Sequence, residues 1–219
     1  MHATTAKCVG GQEGLFVKPR YDPRIFLALT LSRTIQARLG EIQSELQSYL
    51  ASWHYIPHIN FHMTLRFIGD MPEEEIPQIA AACSAVTLRH NPVTLHWHKL
   101  DFFGAPQTAR VIFAAAEDNP ALTKLAGEIS SVIPGTDEPR AFHPHITLAK
   151  ARRQMDPNAV ARNANMLRRL KEIGRIGPNP LEVDLTTVHR EVVLMETVWI
   201  GRAVEYVIRE RFPFAVEEE

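Results

Sequence analysis

One tetrapeptide pattern occurs twice in this chain: His62-Met63-Thr64-Leu65 is echoed by His145-Ile146-Thr147-Leu148, 83 residues further on. Each copy reads His, apolar, Thr, Leu and sits in a short run that alternates polar with apolar residues. Alternation with a period of two marks a strand with one buried face. His and Thr of each copy therefore point to one side and the apolar residue between them to the other. The distance between the copies assigns them to two halves of one fold. If a pseudo-two-fold axis relates the halves, both His-Thr pairs face one shared groove.

The remaining elements suit such a fold. Arg24 to Thr30 is a short apolar run that fits a buried strand. Ile35, Leu39, Ile42, Leu46 and Leu50 recur every three or four residues, which predicts a helix from about Arg33 to Ala51. The strand that opens at His62 runs to Ile68 and ends at Gly69-Asp70. Helical spacing returns over Ile76 to Val86, behind Pro72 and three glutamates that suit a helix N-terminus. Val93 to Lys99, Arg110 to Ala115 and His145 to Ala149 read as strands. Asn119-Pro120 and Asp156-Pro157 each join a capping residue to a first-turn proline. They open one helix carrying Leu122, Leu125, Ile129 and Val132, and another reaching about Glu172. Leu181 to Val188, Glu191 to Val198 and Glu205 to Pro213 close the chain as strands. Few strands are joined by a single regular crossover, so an α+β fold of antiparallel sheets with helices outside is expected over a doubly wound one.

Two imidazoles and two hydroxyls on one groove suit displacement at phosphorus. Such a reaction needs a base on the attacking oxygen and an acid on the leaving oxygen opposite it. Histidine titrates near working pH and can do either job. A threonine beside each can donate to a non-bridging phosphate oxygen. The set His62, His145, Thr64 and Thr147 is complete without a metal or cofactor, and none is expected. His54, His58 and His62 are spaced by four, but Pro57 and the strand pattern argue against a helical ligand face. His96 and His98 have no acidic or thiol ligand near them in sequence.

Around this set, alternation puts Arg66 on the His62 side. It puts Lys150 on the face opposite His145 unless the strand bulges there. His143 adjoins the second copy as a supporting residue. Phe102, Phe103 and Tyr206 could stack a base or pack at the rim. Between Arg140 and Arg175 stand nine Lys or Arg, Arg152 among them, against two acids. That run is a solvated helix face, or an RNA-backbone contact beside the second copy.

Composition narrows the rest. A chain of 219 residues makes one large domain or two small lobes on a shared core. A formal net charge of -1 gives no global pull toward nucleic acid or membrane, so an anionic substrate must be caught by local charge. Two cysteines, Cys8 and Cys83, imply no disulfide framework and fit a reducing cytosol. The longest apolar stretch, around Ile25 to Leu31, falls far short of the ~20 residues of a spanning helix.

The segments FHMTLRFIG and FHPHITLAK resemble the two signatures of the 2H phosphoesterase superfamily. The nearest resemblance is to its RNA 2′,3′-cyclic phosphodiesterases, long called 2′-5′ RNA ligases. RIFLAL, Trp53, LDFFGAPQTARVIFAA and LMETVWIGRAVEYVIRERFPF resemble further family segments, so the likeness runs from about Arg24 to Phe214. It implies a bilobal, pseudo-two-fold α+β fold with two mainly antiparallel sheets flanking a central cleft. It also implies hydrolysis of a terminal 2′,3′-cyclic phosphate on RNA to a 2′-phosphate, with reversible 2′-5′ ligation by the same site. By that analogy His145 is the base on water and His62 the acid on the leaving 3′-oxygen. Thr64 and Thr147 hold the phosphate, and Arg66, Arg140, Lys150, Arg152 and Phe103 are candidate RNA contacts. The expected partner is RNA with a cyclic phosphate end, tRNA fragments included, met by a cytoplasmic monomer that binds no membrane.

Three features depart from the family. Lys150 stands where arginine is common. Residues 1–20 are read as a flexible extension before a single bilobal catalytic domain at 21–219. A helical insertion is expected at about 152–180. Two other readings remain: a cyclic phosphodiesterase for nucleotides or ADP-ribose derivatives, and a non-catalytic RNA-binding module.

Overall fold

The computed structural model describes residues 22–135, 141–153, 156–173, 183–201 and 203–215. The expected N-terminal extension, Cys8, Arg140, Arg175 and the later part of the expected insertion lie outside the described residues. The elements in chain order are β1 (Arg24–Thr30), α1 (Arg33–Tyr49), β2 (Trp53–Tyr55), β3 (His62–Asp70), α2 (Ile76–Thr87), β4 (Val93–Phe102) and β5 (Val111–Ala116). Then follow α3 (Pro120–Val132), β6 (His145–Ala151), α4 (Pro157–Ile173), β7 (Leu185–His189), β8 (Glu191–Ile200) and β9 (Ala203–Pro213). The short strand β2 is the element that the sequence pattern does not give. Three residues are too few to show a period.

All strand pairs among the described residues are antiparallel. One sheet has the order β3-β1-β8-β9 and the other β2-β6-β5-β4-β7. The expected caps are in place. The Asn119 side chain accepts from Leu122 N at 2.9 Å and donates to Thr94 O at 2.9 Å, which ties the start of α3 to β4. Asp156 accepts from Asn158 N at 3.3 Å and Ala159 N at 3.2 Å at the start of α4.

The internal repeat extends well beyond four residues. β1-α1-β3 and β5-α3-β6 are the same unit: a strand, a helix, and a motif strand that pairs antiparallel with the first. In each unit the helix leaves its own sheet. α1 follows β1 of the four-stranded sheet but packs on β2 and β6 of the five-stranded one. α3 follows β5 of the five-stranded sheet but packs on β3 of the other. This exchange leaves one continuous core, from Ile25, Leu27 and Leu29 through Met63 and Leu65 to Trp97, Ile112, Ile146 and Leu148. α2 joins α3 behind the four-stranded sheet and α4 packs behind β4. The other faces of the two sheets are left for the cleft.

The four-stranded sheet has an inner face turned away from the common core. Its inner face carries a small second core of Phe26, Ala28, Val193 and Met195, with Phe67, Tyr206 and Ile208 packed on it. The Asn60 side chain donates to Val204 O at 2.7 Å and so ties β9 to the turn before β3.

A buried polar chain crosses the common core. Trp97 Nε1 donates to Thr187 Oγ1 at 3.0 Å, and Thr187 Oγ1 meets His189 Nε2 at 2.8 Å. His189 also bonds the main chain at Thr30, the cross-strand partner of His62. Burial lowers the His189 pKa from 6.5 to about 4 despite the Thr30 bond. The unfolded chain therefore binds the extra proton first as pH falls. Stability from this group is complete above about pH 6.5, declines between 6.5 and 4, and is lost below. The span corresponds to roughly 3 kcal/mol. Urea unfolding at pH 7 and pH 4.5 should show His189→Gln losing less stability on acidification than wild type. An equal loss in the two proteins would show that His189 is not held neutral.

Candidate active site

Each motif histidine is the first residue of its strand, and each ring is held in the same way. His62 Nδ1 lies 2.7 Å from Asn60 O, and His145 Nδ1 lies 2.7 Å from His143 O. A carbonyl can only accept, so the nitrogen facing it carries the proton. Nε2 of each neutral ring then presents its lone pair away from the backbone. The duplicated feature is thus an imidazole fixed in one tautomer by the carbonyl two residues before it.

The fourth position of the motif, leucine in both copies, is a bulge. Along β3 the partners in β1 step from Thr64↔Ala28 to Arg66↔Leu27. Along β6 the partners in β5 step from Thr147↔Phe113 to Ala149↔Ile112. One extra residue, Leu65 or Leu148, is therefore accommodated, and each is buried in the common core. A bulge exchanges the faces of everything after it. His62 and Thr64 share the inner face of the four-stranded sheet, whereas Arg66 lies opposite Leu27 on the core side. The Arg66 guanidinium packs on Gly135, where any side chain would collide with it. The alternation that placed Arg66 beside His62 is corrected by this bulge, and Arg66 does not line the cleft.

In β6 the same shift has the opposite consequence. It brings Lys150 to the His145 and Thr147 face. Lys150 is exposed there and near enough to both imidazoles to lower the pKa of each.

β3 and β6 pack against one another, so the two copies meet. Each ring has an aromatic frame. His62 lies 4.9 Å from Phe26 and 4.9 Å, edge-on, from Tyr206. His145 lies 5.0 Å from Phe103 and 5.3 Å from Phe113, and Phe103 packs on Phe113 at 4.3 Å. Phe103 is 38% exposed and forms one wall beside His145. Phe102 points the other way, into the core, under the Lys171 ammonium. The His143 ring packs on Phe103 and Phe113, so this residue supports His145 with both carbonyl and ring.

Both imidazoles are neutral near pH 7. Burial is the main reason that the His62 pKa drops from 6.5 to about 4; the charges of Lys150 and His145 add to it, against the Asn60 bond. His145 is lowered as well, first by burial and then by His143 and Lys150, against its bond to the His143 carbonyl.

The other sequence candidates do not converge. His58 Nε2 bonds Gln43 Oε1 at 2.9 Å, while Gln43 Nε2 donates to Ile56 O and Leu148 O, each at 2.8 Å. His96 lies between Glu117 and Asp184. Among the described residues no three potential ligands gather into a metal site. Arg152 is exposed just past the end of β6. The rest of the described basic run belongs mainly to α4, which packs on the core side of the five-stranded sheet, away from the cleft face. Arg162, Arg168 and Arg169 are exposed on that helix.

The architecture and the duplicated site place the chain in a known family. The chain belongs to the 2′-5′ RNA ligase superfamily, whose sequence profile matches residues 31–189 and so spans both motif copies. An RNA 2′,3′-cyclic phosphodiesterase of Thermus thermophilus is 34% identical over 137 residues, 58% of this chain and 68% of that protein. The crystal structure of TT0787 of Thermus thermophilus superimposes with a TM-score of 0.67 at 25% identity, covering 89% of this chain and 100% of that one. E. coli LigT complexed with 3′-AMP has the same fold, with a TM-score of 0.62 at 19% identity over 88% of this chain and 98% of that one.

The shared influence of Lys150 gives a direct check on this geometry. Lys150→Gln removes a positive charge that opposes protonation of both rings. The pH midpoints of His62 and His145, followed through their ring protons by NMR, should both rise. Midpoints that stay in place would show that Lys150 does not stand at the pair.

Proposed function

We propose that this chain hydrolyses a terminal 2′,3′-cyclic phosphate on RNA to a 2′-phosphate, without a metal, using His62 and His145 as its acid–base pair. The observation that carries the proposal is the duplicated setting of the two imidazoles. Each is fixed with Nε2 free, each has a threonine on the same face of its strand, and the two strands pack together. Relatives named RNA 2′,3′-cyclic phosphodiesterase support the substrate class.

His145 Nε2 takes a proton from water as the water oxygen attacks phosphorus. The P–O3′ bond breaks, and protonated His62 delivers its proton to the departing 3′-oxygen. The product is a 2′-phosphomonoester beside a free 3′-hydroxyl. With an RNA 5′-hydroxyl in place of water, the same transfers give a 2′-5′ linkage. Thr64 and Thr147 donate to the non-bridging oxygens, and Lys150 offsets their charge. The direction of proton transfer follows family resemblance.

The depressed pKa values have a role in this scheme. Free rings stay neutral, which suits a base. The incoming phosphate supplies a negative charge that offsets Lys150 and favours the imidazolium, which the acid requires. The partners around the two rings are carbonyls, hydroxyls, aromatics and an ammonium, a poor donor set for a divalent ion. Among the described residues no helix is long and apolar enough to cross a membrane. Cys83 is a buried free thiol, which suits the cytoplasmic location we propose.

An oligonucleotide ending in a 2′,3′-cyclic phosphate, incubated with chelator-treated protein, should give one product isomer by phosphorus NMR, the 2′-phosphate. His62→Ala and His145→Ala should each lower kcat by about 10² or more, and the double variant by much less than the product of the two losses. The kcat/KM profile should be a bell centred on the acid side of pH 6.5, and the kcat profile should lie at higher pH. Loss of activity in chelator with recovery on adding a divalent ion would end the metal-free scheme. Near-wild-type kcat in either folded single variant would end the two-histidine scheme.

A further inference from the structure

The cleft face of the five-stranded sheet continues past the proposed reaction centre. His145, Thr147 and, because of the bulge at Leu148, Lys150 follow one another along it. Directly opposite Lys150, across the β2–β6 pair, stands His54. Its neighbours Trp53 and Tyr55 turn to the core, so His54 is on the outer face with Lys150, and both are exposed. β2 is the edge of its sheet, so the side beyond His54 is open.

Among the described residues no carboxylate stands between the two. Neither His54 nor Lys150 has an acidic partner among the described residues. Some surface bases are met by acids, as Arg209 is by Glu73 and Glu196, and His96 by Glu117 and Asp184, whereas His54 and Lys150 face one another across a strand pair. Two nitrogen donors facing each other across a strand pair repel whenever both are charged, and like charges directly opposite destabilise a sheet. An anion between them turns that repulsion into attraction. A strand rises ~3.3 Å per residue, so Lys150 lies roughly 10 Å along β6 from Thr147.

We infer that His54 and Lys150 form a second phosphate subsite, which takes the phosphodiester adjoining the cyclic phosphate and so makes the enzyme prefer an RNA strand end to a cyclic mononucleotide. The inference rests on the reading that the terminal phosphate sits between His62 and His145. It deepens that reading by assigning a substrate length. Lys150 serves both phosphates because its charge also reaches the two catalytic imidazoles. His54 reaches only the second and is therefore the residue that separates them.

The test compares two substrates, a cyclic mononucleotide and a short oligonucleotide ending in a 2′,3′-cyclic phosphate. Wild type should show the lower KM for the oligonucleotide. His54→Ala should raise that KM roughly tenfold, the usual worth of one hydrogen bond to a charged group, and flatten its salt dependence. It should leave turnover of the mononucleotide unchanged. A second arm changes the substrate: an oligonucleotide with an uncharged methylphosphonate at the adjoining linkage should bind wild type at least as weakly as the ordinary one binds His54→Ala, and the same change should cost the variant less than it costs wild type, since only Lys150 remains there to lose its partner. Equal KM values for both substrates in wild type, or no effect of the neutral linkage, would overturn the subsite and leave the cyclic phosphodiesterase standing. No turnover of either substrate by wild type would overturn that reading and the subsite with it.

Discussion

A main-chain carbonyl decides what each motif histidine can do. Asn60 O and His143 O each take the Nδ1 proton of the ring two residues later. That contact fixes the tautomer, aims Nε2 outward, and sets the distance from ring to threonine along the same strand face. The contacts depend on the turns that lead into β3 and β6. Gln43 holds the first from α1 through Ile56 O and His58, and Asn60 fastens it to β9. The second is braced by the His143 ring against Phe103 and Phe113. The two sites are equivalent at the imidazole and different one step behind it, so two chemically identical groups can take different parts in one reaction.

The fold delivers these two sites to each other by exchange. Each repeat unit lends its helix to the opposite sheet, so the motif strands of the two lobes are anchored in one shared core. A bulge at the same leucine in both copies then divides the residues that follow. On β3 it turns the half-buried Arg66 to the core side of the sheet and brings Phe67 to the apolar inner face. On β6 it brings Lys150 into the cleft. The symmetry of the motif thus ends at its fourth residue. Beyond it, one half of the cleft is apolar and the other is cationic.

Much of this is legible in the sequence because it depends on period and on capping chemistry. The repeat, the strand face shared by His and Thr, the proline-led starts of α3 and α4 and the α+β order all follow from residue spacing. Strand alternation fails where the backbone breaks it. Nothing local to Leu65 or Leu148 announces an extra residue, since the register of a strand is set by its partner. Alternation alone therefore assigns Arg66 to the wrong face, and it can place Lys150 only on condition of a bulge. The carbonyl contacts are invisible for a related reason: main-chain groups leave no sequence signature. Phe26 and Phe113 read as ordinary core positions, and their contact with the imidazoles arises only when the sheets come together. β2 is too short to show a pattern, and the pairing of His54 with Lys150 is hidden with it.

The central claim is that both imidazoles are neutral, carry their proton on Nδ1 and offer Nε2 to the substrate. Nitrogen-15 NMR of the ring nitrogens of His62 and His145 at pH 7 tests it most directly. In the free protein both rings should show a protonated Nδ1 and an unprotonated Nε2. On saturation with a 2′-phosphate product, one Nε2 should gain a proton while the other does not. A proton on Nε2 with Nδ1 bare in either free ring, or two imidazolium rings before any phosphate is added, would contradict the account.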